Sequence, residues 1–354
     1  MKKHLILLTC LCVGMFAFCG CSSQEPDAEA KQESSQEKET KTPEDMVYAL
    51  VTKSEGNRYN ELQAQGFRTV IEESGAVCVV EYPKSTAAME QVRIIEQLIE
   101  DDVDAIAIAA NDADALNDVL QKARDAGILI TTLDSNVNPE YTSLFINQVD
   151  TKTVATTLLD AVYDISGGSG EWAILSASSM APNQNAWIEA MREIMKEDSK
   201  YKKLKLVEIA YGEDLERLSK DQTAAILQIY QDLKVICAPT TVGCRAAAEV
   251  VSETETECKV TGLALPSEIV DYLGANEVCP YVYIWDSEKV GELAAYATLA
   301  LMNDELAGTP GQAFTAGDLG KFKIQESEDG GAEIVVGPLL RISDDNIIYW
   351  DDIF

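Results

Sequence analysis

From residue 46 onward the sequence alternates two hydrophobic periods. Short apolar runs stand at 46–51, 77–82, 105–109, 128–133, 144–146, 172–176, 204–210, 235–238, 259–263 and 281–285. Between most of them the apolar residues recur with helical spacing, as at 61–73, 89–100, 113–126, 153–163, 222–231 and 287–302. A strand covered on both faces reads as an unbroken apolar run, and a helix laid on a sheet reads as an amphipathic stretch. Their alternation marks βα units and a mostly parallel sheet, so the fold class is α/β. Roughly ten strands suit two Rossmann-like lobes better than one oversized sheet.

In such sheets ligands sit just beyond the carboxyl ends of the strands, so the residues there carry the functional information. One step past the runs stand Lys53, Asp134, Pro239-Thr240-Thr241, Leu265-Pro266 and Asp286. The most telling stretch is 173–188, where an apolar run ends in a small polar loop and helical spacing then resumes around Trp187. Asn183 and Gln184 in that loop each offer two N–H donors and a carbonyl acceptor, which suits neutral polyhydroxyl ligands. A carboxylate accepts two hydroxyl protons and a lysine donates, so Asp134, Asp286 and Lys53 fit the same chemistry with charge-assisted bonds. Tyr59 and Trp285 are aromatics at the same edges, able to cover the C–H face of a sugar ring. Each residue also has a plain reading: Asn185 as the N-cap of the Trp187 helix, Asp286 as the N-cap of 287–302, Asp134 as a turn former, and Trp187 as core.

The first twenty residues are an export signal, with Lys2-Lys3 as the charged start, 5–18 as the apolar centre and Cys19-Gly20-Cys21 as the exit. Cys21 is the expected lipidation site, and several acyl chains there would hold the protein to the outer face of the membrane. Residues 21–45 contain almost no large apolar side chain and are expected to form a disordered tether.

The chain has 28 basic against 60 acidic residues, which argues against nucleic acid or anionic lipid as a partner. Its one histidine, His4, lies in the signal, so the body lacks histidine-based acid–base catalysis and the commonest zinc ligand. No cofactor and no metal site are expected. Five cysteines remain beyond Cys21, namely Cys78, Cys237, Cys244, Cys258 and Cys279, and no C-x-x-C occurs among them. Asn111-Asp112-Ala113-Asp114 lacks the glycine and the glutamate of a calcium loop and is read as capping.

Beyond these local readings, the chain from 46 to 354 resembles the periplasmic sugar-binding proteins of ABC importers, of the ribose-binding type. Within them it is similar to the rhamnose-binding and autoinducer-2-binding branch. The resemblance is carried by Ala110-Asn111-Asp112-Ala113-Asp114-Ala115-Leu116, Asp134-Ser135, Ile146-Asn147-Gln148, Asn183-Gln184-Asn185-Ala186-Trp187, Ala238-Pro239-Thr240-Thr241-Val242-Gly243, Gly262-Leu263-Ala264-Leu265-Pro266-Ser267-Glu268 and Ile284-Trp285-Asp286. It implies a type I periplasmic binding protein fold, two lobes joined by a multi-strand hinge. It also implies a ligand held by Lys53, Asp134, Asn183, Gln184, Pro239 and Thr241, with Trp285-Asp286 at a lobe crossing. Asn183-Gln184 and Pro239-Thr240-Thr241 follow the rhamnose branch. Asp134 with Pro139-Glu140 and Ile146-Asn147-Gln148 leans toward the autoinducer-2 branch. Where the family shows two adjacent aromatics after the lysine, this chain has Tyr59-Asn60.

The expected function is therefore that of a monomeric, lipid-anchored solute-binding protein that captures a rhamnose-like deoxy-sugar or a pentose by hinge closure and hands it to a membrane permease. Crossings near Asn147, Trp285 and Asp318 would divide the chain into an N-terminal lobe of 46–147 with 286–318 and a C-terminal lobe of 148–285 with 319–354. The alternatives are autoinducer-2 uptake or signalling, a sensor subunit on this same pocket, and an exported carbohydrate enzyme using Asp134 and Asp286 as its two carboxylates.

Overall fold

The computed structural model describes residues 41–350; the expected signal, the expected lipidation site Cys21 and the expected tether as far as residue 40 lie outside them. The expected end of the tether at 45 is corrected. Lys41 pairs with Asp104 at 2.8 Å, and the Thr42 hydroxyl donates to Asp45 at 2.7 Å across the turn Pro43–Asp45. The folded body thus begins by residue 41.

The first lobe opens with β1 (Val47–Val51), α1 (Arg58–Glu73), β2 (Val77–Glu81), α2 (Ala88–Glu100), β3 (Ala105–Ile108), α3 (Asn117–Asp125), β4 (Leu129–Leu133) and β5 (Phe145–Asn147). The chain then crosses to α4 (Thr151–Ile165), β6 (Gly170–Ser176), α5 (Pro182–Glu197), β7 (Leu204–Tyr211), α6 (Glu216–Ile229), β8 (Leu233–Ala238), α7 (Thr241–Ser252), β9 (Lys259–Gly262), α8 (Pro266–Ile269) and β10 (Val282–Ile284). It returns through α9 (Ser287–Met302), β11 (Ala313–Thr315), β12 (Lys321–Lys323), β13 (Gln325–Glu326) and β14 (Ala332–Val335), and ends on β15 (Leu340–Ile342).

The strand order is β13-β14-β5-β4-β3-β1-β2 in the first sheet and β7-β6-β8-β9 in the second, all parallel except β13. Period two is visible in β1: Tyr48 and Leu50 enter one apolar cluster with α1, while Ala49 and Val51 enter a second with α2 and α3. Both faces are covered, as parallel pairing requires. In each sheet the strand order reverses beside its first strand, between β1 and β3 and again between β6 and β8. Both reversals open a crevice at the carboxyl ends.

Two expected boundaries shift. Helix α3 begins four residues later than expected, because the Asp112 carboxylate accepts the amides of Asp114 and Ala115 at 2.9 and 3.0 Å and holds 112–116 in a turn. The last crossing is not near Asp318 either: β14 pairs in parallel with β5, Ile334 opposite Ile146, so it belongs to the first sheet. The chain joins the second lobe only at β15, antiparallel to β10, and the 319–354 assignment to that lobe is corrected accordingly. The chain leaves the first sheet after Asn147, at the end of β5, and returns to it through α9, which follows Trp285.

Helices α1 and α9 meet backbone to backbone. A Cβ added to Gly66 would lie 2.1 Å from the Glu288 carbonyl oxygen, and one added to Gly291 would lie 1.9 Å from that of Gln63. Among the described residues no helix is long and apolar enough to cross a membrane.

Candidate functional site

The strand ends of the first lobe are tied together before any ligand chemistry is considered. Gln91, fully buried on α2, donates to the carbonyls of Thr52 and Ala109 at 3.0 and 2.7 Å and accepts the Asn111 amide at 2.9 Å. Asn111 in turn donates to the Lys53 carbonyl at 2.8 Å. Lys53 is thereby held at the end of β1. Asp134, at the end of β4, sits in left-handed backbone with φ 62°, the centre of a γ-turn in which the Ser135 amide donates to the Leu133 carbonyl at 2.6 Å. Such a turn is strained for a residue with a side chain, and aspartate is among the few that tolerate it.

The side chains then converge. The Lys53 ammonium lies 3.4 Å from Asp134 Oδ2 and donates to Asn183 Oδ1 at 3.0 Å. Asn183 donates back to Asp134 Oδ2 at 3.2 Å, so three residues from two lobes close a ring. The Tyr59 hydroxyl donates to Asp134 Oδ1 at 2.6 Å and accepts the Trp285 indole N–H at 2.8 Å. Burial first, and the Asp134 charge second, hold the Tyr59 phenol well above its usual range, so it stays a donor. Gln184 spends its carbonyl on Ser176 and the Ala177 amide at 2.6 and 2.8 Å, which leaves its NH₂ for the cleft. Trp187 and Tyr59 both meet Trp285 edge to face, with centroids 6.0 and 6.2 Å away.

Lys53, Tyr59, Asp134, Asn183, Gln184, Pro239, Thr241 and Trp285 thus line one cleft between the lobes, with about 40 Å³ enclosed among them. Asp286 is the exception and is corrected: its carboxylate caps α9, accepting the Lys289 amide at 3.1 Å and pairing with that residue's ammonium at 2.8 Å. Asn185 is not the cap of α5, which begins at Pro182; its amide reaches back to the Ser179 carbonyl at 2.8 Å. Trp187 is core and cleft wall at once. Asn60 is buried and donates to the Ser54 carbonyl at 3.0 Å, bracing the Lys53 loop. A larger groove of about 670 Å³ between α5 and β7 shares none of these residues.

Asp214 is the charged cleft residue that the sequence reading missed. It lies three residues beyond β7 and accepts the Thr240 hydroxyl. The strand-end rule that singled out Asp134 applies equally to Gly212-Glu213-Asp214. Burial pushes the Asp214 carboxyl above its ordinary 3.8, opposed by the Thr240 hydroxyl and Lys53 and reinforced by Asp134 and Glu213. The folded state therefore holds this proton to higher pH than the unfolded chain does. The stability contributed is full below about pH 4 and is lost as pH rises through the native value. Asp214→Asn is expected to gain stability over the parent progressively from about pH 4 upward and then level off, as read from urea midpoints between pH 4 and pH 8. A constant difference across that range would show that Asp214 is not the group responsible.

With the geometry in hand, known proteins can be set beside it. Residues 48–306 match the periplasmic binding protein domain. A solute-binding protein of an ABC transporter from Clostridium phytofermentas, solved with L-rhamnose, is 45% identical, superposes with a TM-score of 0.86, and is covered over 99% of its length by 87% of this chain. A sugar ABC transporter structure from Actinomyces odontolyticus is 36% identical with a TM-score of 0.68, over 87% of this chain and 98% of that one. LsrB from Clostridium saccharobutylicum, in complex with AI-2, shares the fold at a TM-score of 0.80 and 19% identity over 86% of this chain and the whole of that one. A D-ribose/D-allose-binding protein of Pseudomonas aeruginosa is 34% identical over 102 residues, 28% of this chain and about a third of that protein. Sequence, strand order and cleft agree: this chain belongs to the periplasmic binding protein family, among the sugar-binding solute-binding proteins of ABC transporters with the type I fold.

Proposed function

We propose that this protein is the exported, lipid-anchored receptor of an ABC importer that captures L-rhamnose or a closely similar deoxy-sugar or pentose, and that it works as a monomer that binds and releases its sugar unchanged. The observation that carries the reading is the ring of Lys53, Asp134 and Asn183 closed across the two lobes. A sugar ring entering the cleft exchanges these bonds for bonds to its hydroxyls, donor for donor and acceptor for acceptor. Because residues of both lobes face it, the ligand favours the closed form by its greater affinity for that form, and the permease meets a closed receptor.

Two features support a deoxy-sugar. Leu263 and Ile284 line the cleft beside Trp187 and Trp285, an apolar wall suited to a methyl group and unable to hydrogen-bond a hydroxymethyl. The L-rhamnose-bound relative is also the one with 45% identity. Of the residues leaning toward autoinducer-2, Asp134 is in the cleft and fits either ligand, whereas Asn147 spends its amide on Glu333 at 3.0 Å and Gln148 is wholly buried at the crossing. Catalysis finds no support in the carboxylates first considered for it, since Asp286 is turned away to cap α9.

A thermal-shift screen tests the assignment with L-rhamnose, autoinducer-2, ribose, xylose, galactose and inositol. L-rhamnose at about a hundred times its dissociation constant is expected to add about 2.7 kcal/mol and raise Tm visibly. A shift with autoinducer-2 alone would move the protein to that ligand, and slow consumption of a glycoside would overturn the receptor reading.

A further inference from the structure

The loop joining β7 to α6 places two consecutive side-chain-bearing residues in left-handed backbone, Glu213 at φ 52° and Asp214 at φ 50°. Backbone of this kind persists only where its surroundings impose it. Here the Gly212 and Glu213 amides donate to the Ser176 and Ala177 carbonyls at 2.9 and 2.8 Å, continuing the pairing with β6, and the Leu215 amide closes back on the Gly212 carbonyl at 2.9 Å. Gly212 has no room for a Cβ, which would sit 2.1 Å from the Ser219 hydroxyl oxygen. The loop is therefore fixed from both ends, and its strain sends adjacent side chains in different directions.

Asp214 points into the cleft, where Thr240 holds it. Glu213 points to the mouth and accepts the hydroxyl of Thr86, on the loop between β2 and α2 of the opposite lobe, at 3.1 Å. Among the side-chain hydrogen bonds of the described residues, the others that join the two lobes run through the cleft lining itself. The Thr86–Glu213 bond stands apart from it, beside a recess of about 330 Å³ lined by Ser85, Asn111, Ser178 and Leu215 among others. It exists only when the lobes have come together, whereas each partner's own loop is held within its own lobe.

We infer that Thr86 and Glu213 form a latch across the cleft mouth, set by the same strained dipeptide that puts Asp214 against the ligand, and that this latch slows the sugar's departure without taking part in its recognition. The inference rests on the proposed sugar-binding function. A ligand that fixes Asp214 fixes Glu213 with it, because no freely rotating backbone separates them. Capture, which begins with the lobes apart, does not use the bond; release must break it.

Release and capture rates of L-rhamnose are measured on the full chain by stopped-flow, using the emission of Trp187 and Trp285. Thr86→Val and Glu213→Ala are each expected to speed release about three- to tenfold while the capture rate stays within about twofold. The double variant is expected to be no faster than either single one, the signature of two groups sharing one interaction. Glu213→Gln, which keeps an acceptor oxygen without its charge, should fall between parent and Glu213→Ala. Unchanged release, or single effects that multiply in the double variant, would overturn the latch. Cross-linking of a T86C/E213C chain gives a readout that needs no particular sugar: oxidation joins 86 to 213 if the side chains meet across the mouth. No cross-link with any sugar or without one overturns the latch, whereas a cross-link together with no response to L-rhamnose removes only the proposed ligand.

Discussion

Asp134→Ala is expected to weaken L-rhamnose binding by about a hundred- to ten-thousandfold in calorimetry. Asp134 is the hub of the cleft. One carboxylate oxygen holds the Tyr59 hydroxyl at 2.6 Å, and the other faces both Lys53 and Asn183. A sugar offering adjacent hydroxyls takes two charge-assisted bonds from it, each contributing about 1.5–3 kcal/mol net. Losing both amounts to about 3–6 kcal/mol, and every 1.4 kcal/mol is a factor of ten. The alanine variant also leaves Lys53 in a nearly closed space without its nearest counter-charge, which adds to the loss. Asp134→Asn keeps one acceptor and should retain part of the affinity. If Asp134→Ala costs only a few-fold while Tm is unchanged, the carboxylate is an orienting group for Tyr59 and the sugar is held elsewhere.

The second large effect concerns stability. Gly66→Ala and Gly291→Ala are each expected to destabilise the protein by about 3 kcal/mol, the upper part of the range for overpacking, with a fall in Tm of about 5 °C. The added carbon meets backbone oxygen at 2.1 or 1.9 Å, and a carbonyl cannot rotate aside as a side chain can. Helix α1 must then part from α9, opening a cavity beside Phe67 and Leu293, which are fully buried. Because one separation of the helices relieves both clashes, the double variant should lose clearly less than the sum of the single ones. Helix propensity in the variants works the other way, since alanine is the better helix former by about 1 kcal/mol. A net gain in Tm in either variant would mean that the helices do not pack as closely as described.

Much of this was legible in the sequence because parallel α/β folds turn topology into position. Lys53, Asp134, Pro239 and Thr241 stand within three residues of the apolar runs before them, Asn183 and Gln184 follow another run across a short polar loop, and the structure brings all six to one cleft. Asp214 follows a run as well and the strand-end rule reaches it, but it stands beside Glu213, and only the structure shows that Asp214 enters the cleft while Glu213 meets Thr86. Asp286 shows the opposite failure. An aspartate before a helix serves equally as cap or ligand, and only the 3.1 Å bond to the Lys289 amide decides between them. The last crossing escaped for a third reason: β14 is four residues long and sits among glycines and acids, and its membership in the first sheet rests on a pairing with β5 some 190 residues earlier.

That pairing bears on how the molecule comes into being. The first lobe is assembled from both ends of the chain: α1 docks on α9 roughly 220 residues later, and β5 waits for β14. Contacts so distant in sequence close large loops and form late. In a chain emerging from its N-terminus the first lobe therefore cannot complete its sheet until β14 is available, although β6 to β9 of the second lobe lie within one stretch, 170–262. A first lobe of this kind can pass through a narrow opening before it becomes compact, and the delay is written into its connectivity without any sequence set aside for the purpose.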